Sequence, residues 1–258
     1  MKKVIALVLV MMFCVSGLAL ADAKPEIRMG TNANFPPYEY HEYIDDVDKI
    51  VGIDAEIADA VAEYLGYTLV IDDMDFGAII TAVQTGKIDF GMAGMTVTEE
   101  RLESVNFSST YATGIQAIIV PEGSEIASAD DLFVEGKNYI IGVQESTTGD
   151  LYCTWDIEDE GLGTVERFKN GADAVQALVT DKVDCVVIDN EPAKAFIAVN
   201  EGLTILETAY AVEDYAIAIA KENTELLDKI NGALAALTED GTIPAIIAKY
   251  IPAEEAAE

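Results

Sequence analysis

The chain has 258 residues, with 47 Asp and Glu against 15 Lys and Arg, for a formal net charge of −32 at pH 7. A surface this acidic repels phosphate backbones and anionic membranes, so nucleic acid is not an expected partner. The single histidine, His41, removes histidine-based metal clusters and argues against Ser-His or Cys-His catalysis; no metal and no cofactor is expected.

The first elements are a basic start (Met1, Lys2, Lys3), one apolar run, and the small residues Ala19-Leu20-Ala21. This is the pattern of a signal peptide over 1–21, cut after Ala21 or Ala23. The alternative is a membrane anchor, but the run falls short of the ~20 residues a span wants. Phe13 is too bulky for a lipid-attachment box at Cys14. The expected product is an exported protein, periplasmic or at the cell surface, of about 235 residues: one large or two modest domains. Cys153 and Cys185 then remain, as a disulfide or as two buried thiols.

Strand and helix alternate from there. EIRMGT (26–31) reads as a strand, and HEYIDDVDK (41–49) as a charged, solvated hairpin or loop. Ile53, Ile57, Val61 and Leu65 recur every four residues, an amphipathic helix stopped by Gly66. YTLVID is a strand, FGAIITAVQTG a helix, and KIDFGMAG a buried strand. Thr98 caps a helix with Glu99 and Glu100 in its first turn. The strands YIIGV, TVERF, KVDCVVI and LTILE then alternate with helices from TTGDLY, GADAVQALVT and EPAKAFIAVN. The strand YAIAIA, the helix TELLDKINGALAALTED and then TIPAIIAKYI follow. AVQTGKID (82–89) and ALVTDKVD (177–184) nearly repeat one helix-to-strand phrase with different residues after it.

Repeated strand–helix–strand units predict an α/β fold with mostly parallel sheets flanked by helices. Two such sets predict two lobes: 24–112 and 213–252 form the first, 113–212 the second, and 253–258 is a tail. The chain crosses near Thr110–Gln116 and Ala209–Tyr215.

In open α/β sheets ligands gather beyond the carboxyl ends of the strands, so four loops draw notice. In GTNANFPPYEY (30–40), Asn32 and Phe35 lie at a strand's mouth, although Phe35 and Tyr38 also suit a core. In AGMTVTEER (93–101), Gly94, Met95 and Thr96 precede a helix start, and Arg101 is able to fork a carboxylate or to pair with Glu99 or Glu103. In GVQESTTGDLY (142–152), Gln144, Thr147 and Thr148 form a polar cradle or an ordinary helix cap; without a P-loop lysine it does not suit a nucleotide. In CVVIDNEP (185–192), Asp189 ends a buried strand as a ligand group, a cap, or both.

In order and spacing, FPPYEY, VGIDAEIADAVAEYLG, MDFGAIITAVQTGKID, AGMTVTEER, VNFS, GVQESTTGD and DNEPA resemble the amino-acid-binding proteins of ABC importers, over about Glu26 to Tyr250. That is solute-binding protein family 3, of the glutamine, histidine and arginine-binding type. The resemblance implies a two-lobed periplasmic-binding-protein fold of type II with a two-strand hinge. It implies that the protein binds a polar or basic L-amino acid, closes on it, and delivers it to the importer's membrane subunits as a monomer, without catalysis. By position it makes Phe35 and Phe76 aromatic walls. Gly94, Thr96 and Arg101 meet the α-carboxylate, Thr147 and Thr148 close from the second lobe, Asp189 meets the α-ammonium, and Gln144 contacts the side chain.

Three departures bear on specificity. Asn32 stands where many relatives carry Asp, Glu145-Ser146 where Ser-Gly is common, and Ala216 where Gly is frequent. An inward Glu145 would favour a cationic ligand. The alternatives are a prephenate- or arogenate-type dehydratase on this scaffold, with Glu145 as its general acid, and a ligand-sensing module of a receptor system.

Overall fold

The computed structural model describes residues 24–252; the expected signal peptide and the tail lie outside them. β1 (Glu26–Thr31) is followed by β2 (Asn34–Phe35) and the hairpin of β3 (Glu39–Ile44) and β4 (Val47–Val51). The expected charged hairpin turns at Asp45 and Asp46, both at positive φ, with His41 paired to Asp48 and Asp73 at its flank. Next come α1 (Ile53–Leu65), β5 (Thr68–Asp73), a 3-10 turn at Phe76–Ala78 running into α2 (Ile79–Gln84), β6 (Phe90–Gly91), α3 (Glu99–Ser104) and β7 (Val105–Phe107).

The chain then runs through β8 (Ala112–Pro121), β9 (Ile140–Gln144), α4 (Thr148–Cys153), β10 (Thr164–Phe168) and α5 (Gly171–Val179). It continues through β11 (Cys185–Asp189), α6 (Asn190–Ile197), β12 (Leu203–Ile205) and β13 (Ala211–Tyr215), and ends with β14 (Ala218–Ala220), α7 (Thr224–Glu239) and α8 (Thr242–Tyr250).

The strands form two principal sheets, each flanked by helices. One has the order β5-β1-β6-β14-β7; the other has β10-β9-β11-β8-β12, with β13 also on β8. Each holds a parallel trio: β5, β1 and β6 in the first, β10, β9 and β11 in the second. The expectation of mostly parallel sheets needs correction at the return strands. β14 runs antiparallel to β6 and β7, and β8 antiparallel to β11, β12 and β13. The first sheet takes strands from both ends of the chain, so β8 and β13 carry the chain out and back side by side, Ala112 opposite Tyr215.

Local chemistry explains the main elements. The buried face of α1 carries Ile53, Ile57, Ala58 and Val61 into the larger core, and Gly66 ends the helix in the left-handed conformation. The Thr98 and Thr147 hydroxyls cap α3 and α4 by accepting the N–H of Arg101 and of Asp150. The strand read from KIDFGMAG is regular only at Phe90–Gly91, although Asp89 N–H to the Arg28 carbonyl and Met92 N–H to the Gly30 carbonyl continue its bonding to β1 on either side. YAIAIA is likewise split: Ala216 donates its N–H to the Met95 carbonyl instead of extending one ladder. Cys153 and Cys185 are free thiols in one apolar cluster, and burial pushes both up.

Candidate functional site

The strand ends of both sheets meet around one cavity lined by Asn32, Phe35, Glu39, Phe76, Ala93, Gly94, Thr96, Arg101, Gln144, Thr147, Thr148 and Asp189. Ten of the eleven residues singled out from the sequence are therefore brought together. The exception is Met95. Its side chain is wholly buried in the cluster of Ile79, Val83 and Ile88, behind the lining, because the loop alternates inward and outward positions.

The first-sheet side is tightly built. Gly94 takes φ 52, and a Cβ there would stand 2.8 Å from the Phe35 ring, so only glycine fits against that aromatic wall. Phe35 is backed by Tyr38 at 5.9 Å, and Tyr38 meets the Tyr215 ring edge-on at 5.2 Å. Arg101, on the first turn of α3, lies over the Phe76 ring at 5.3 Å. It donates Nη1 to the Thr96 carbonyl (2.8 Å) and Nη2 to the Ser146 carbonyl (3.0 Å), tying the two sides together. Two of its five donors are thereby engaged and others remain for an anion. Burial lowers its pKa to about 10, against the pull of Glu213 and Asp189, so it stays charged at neutral pH.

The second-sheet side supplies Asp189 at the end of β11. Its Oδ2 accepts from Gln116 Nε2 at 2.8 Å, and its Oδ1 accepts from the Tyr215 hydroxyl. Burial, and then the nearby Glu213 carboxylate, push the Asp189 carboxyl well above the usual range. Asp189 also stands at the N-cap of α6, but its side chain makes no capping bond; the sequence had left cap and ligand group both open. Gln144 Nε2 crosses the cavity to Asn32 Oδ1 at 3.0 Å, while Asn32 Nδ2 donates to the Met74 carbonyl. Asn32 thus ties strand ends together where an Asp would bring a charge.

Three sequence readings change. The Gly94 N–H is engaged by Asp54 Oδ2 at 2.8 Å, so it does not face a ligand carboxylate. The Thr96 hydroxyl donates to Glu213 Oε2 at 3.1 Å, so it is not a carboxylate donor either. Glu145 does not point inward: Ser146, at φ 66, turns the loop, and Glu145 pairs with Lys169 Nζ at 2.5 Å on the half-exposed rim.

The acid in the wall is one the sequence reading passed over. Glu39 begins β3 and is fully buried; no N–H or hydroxyl of the fold donates to either of its oxygens, and its side-chain hydrogen bond is to the adjoining carboxyl of Asp54. Its neighbour is another buried carboxyl, Asp54, which accepts from Gly94 N–H and from the Tyr111 hydroxyl at 2.8 Å. Burial and then Asp54 hold the Glu39 carboxyl well above its ordinary range. Asp54 is itself pushed up to about 6 by burial, despite its donors. Two adjoining buried carboxylates do not both ionise cheaply, so a proton sits on Glu39.

A model of the bacterial extracellular solute-binding proteins, family 3, matches residues 27–253. The arginine-binding extracellular protein ArtP of Bacillus subtilis (strain 168) is 32% identical over 236 residues, covering 91% of this chain and 89% of that one. Among solved structures, an ancestral arginine-binding protein bound to arginine has a TM-score of 0.81 at 39% identity, covering 88% of this chain and 99% of that chain. The ancestral amino-acid-binding protein AncCDT-1, a precursor of cyclohexadienyl dehydratase, has a TM-score of 0.77 at 30% identity, covering 87% and 95%.

Proposed function

The chain belongs to the bacterial extracellular solute-binding proteins of family 3, and from that premise we propose that it binds a basic L-amino acid between its two halves and delivers it to an ABC importer. Residues 24–112 with 213–252 make one lobe and 113–212 the other, and β8 and β13 are the hinge on which they close. The protein works outside the cytoplasm, as a monomer, and its partners are the amino acid and the importer's membrane subunits. It performs no catalysis.

A zwitterion taken out of water needs a partner for each charge. Arg101 meets the α-carboxylate with its remaining donors. Asp189 meets the α-ammonium, aided by the Thr96 and Thr148 oxygens. The side chain runs past Phe35 and Phe76, with Gln144 and Thr147 completing the wall.

The observation that carries the basic side chain is Glu39. A fully buried carboxyl in the wall, whose one side-chain hydrogen bond is to a second buried acid, Asp54, is an arrangement that folds rarely keep without a use. A guanidinium or ammonium supplies the donors and the charge, and displaces the proton. The relatives named as arginine-binding support this choice over a neutral polar amino acid. The dehydratase alternative depended on Glu145, and its pairing with Lys169 on the rim leaves that acid out of reach.

Calorimetric titration of ligand-stripped protein with each of the twenty amino acids tests the proposal. Arginine, lysine or histidine should bind at least tenfold tighter than the rest. Binding to none of the twenty, or a preference for an acidic or apolar amino acid, contradicts it.

A further inference from the structure

Behind the Asp189 end of the cavity lies a second buried acid, Glu213, on the hinge strand β13 opposite Gly114 of β8. Its Oε2 is the meeting point of three donors from three parts of the chain. Thr96 Oγ1, from the first-sheet loop, lies at 3.1 Å; Thr148 Oγ1, at the start of α4, at 3.0 Å; and Gln116 Nε2, on β8, at 2.9 Å. Thr96 and Thr148 both line the cavity, whereas Glu213 does not.

Each threonine hydroxyl has one proton to give and two lone pairs to offer. The two hydroxyl oxygens are 3.4 Å apart, farther from each other than either is from Glu213 Oε2. A carboxylate also accepts more strongly than a hydroxyl. Both protons therefore point at Glu213. The Gln116 amide is fixed in the same sense. Its Nε2 lies 2.8 Å from Asp189 Oδ2 and 2.9 Å from Glu213 Oε2, and the reversed amide would press an oxygen against both carboxylates. Gly149 makes room for that amide: a Cβ there would stand 3.0 Å from Gln116 Oε1. With all these protons turned toward Glu213 and Asp189, the Thr96 and Thr148 side chains offer the cavity acceptors only.

We infer that Glu213 is a positioning residue that sets the polarity of this end of the site, turning the Thr96 and Thr148 hydroxyls into acceptors and so selecting ligands that bear a primary ammonium there. It acts from the hinge, through groups that approach from opposite halves, so the acceptor set is complete only when the halves are together. The inference rests on the amino-acid-binding reading and adds to it the residue that makes the ammonium obligatory.

The test is calorimetric, with paired ligands: L-arginine against 5-guanidinopentanoate, and L-glutamine against 4-carbamoylbutanoate. Within each pair the second molecule is the first with its α-ammonium replaced by hydrogen. The wild-type preference for the amino acid should be at least 100-fold. Glu213→Met, which removes the acceptor at similar volume, should shrink that preference at least tenfold. Glu213→Gln, which keeps one acceptor oxygen, should shrink it less. Thr148→Val is the second arm and does not depend on the Glu213 variants folding. It should weaken the amino acid at least fivefold more than its deaminated partner, because an acceptor has gone. Equal weakening of both partners by Thr148→Val, or an unchanged preference in folded Glu213→Met, overturns the role given to Glu213. Wild-type protein that binds neither amino acid overturns the underlying reading of the site instead.

Discussion

Asp189 and Glu39 are both buried carboxyls in the wall of one cavity, but the fold treats them differently. Asp189 receives a hydroxyl from Tyr215 and an amide from Gln116, so it is held in place before any ligand arrives. Glu39 receives no donor, and its neighbour is a second acid, Asp54. The contrast separates two jobs. On the proposed function, the Asp189 end is pre-organised for a group every amino acid shares. On the same proposal the Glu39 end keeps its proton, shared with Asp54, until a ligand carrying its own cation replaces it.

The harshest way to break the contrast is at the shared end. Asp189→Asn leaves the α-ammonium buried without its counter-charge, which costs about 3–5 kcal/mol, a few hundred-fold or more in affinity for every amino acid that binds. Calorimetry with arginine and with its weaker competitors should show the same loss for each.

Replacement at the other end acts on one class of ligand. Glu39→Met should weaken arginine by about 1.5–3 kcal/mol, the worth of a hydrogen bond to a charged group. It should also raise the thermal midpoint of the ligand-free protein, because one of two adjoining buried acids has gone. A scanning calorimeter reads the second effect directly.

The protonation of Glu39 gives a pH signature. Its carboxyl is raised by burial and by Asp54, so arginine must displace a proton, and affinity should fall as pH drops from 7.5 to 5.5, by up to about tenfold per pH unit. The stability of the ligand-free protein carries the opposite sign. Groups whose folded pKa lies above the unfolded value stabilise the fold below the unfolded pKa and lose that contribution as pH rises through the folded one. For Asp54 that loss runs from the ordinary carboxylate range up to about pH 6, above which it is complete. The ligand-free midpoint should therefore rise as pH falls from about 7 toward 5, and Glu39→Gln should flatten the trend.

The smallest effect belongs to Glu145. Its pair with Lys169 is on the half-exposed rim, so Glu145→Gln should change arginine affinity and stability by less than about 0.5 kcal/mol. A tenfold loss of arginine binding would bring Glu145 back into the site.

Much of this was legible in the sequence where local chemistry decides the outcome. The four-residue spacing of α1, the Thr98 and Thr147 caps, and the loops after the strands all read through to the cavity. What was missed depends on strand facing. Glu39 stands at the head of a charged run and reads as solvated. Pairing of Phe35 with Glu39 across β2 and β3 instead turns this first residue inward, while His41 to Ile44 face solvent. Glu213 was hidden in a stretch read only as a crossing. Its signal was alternation: Val212 and Asp214 are exposed, and Glu213 and Tyr215 are buried on one face. The direction of Glu145 stays open in the sequence because it depends on the left-handed turn at Ser146, which no pattern there announces.

The most direct test is the discrimination between L-arginine and L-citrulline, its neutral isostere, by ligand-stripped wild-type protein and by Glu39→Gln. The wild type should prefer arginine by at least tenfold, as a hydrogen bond to a charged group worth about 1.5–3 kcal/mol requires. The variant should bind the two within about threefold of each other, its loss confined to arginine. A wild type that binds both equally, or a folded variant that keeps the full preference for arginine, would contradict the role proposed for Glu39.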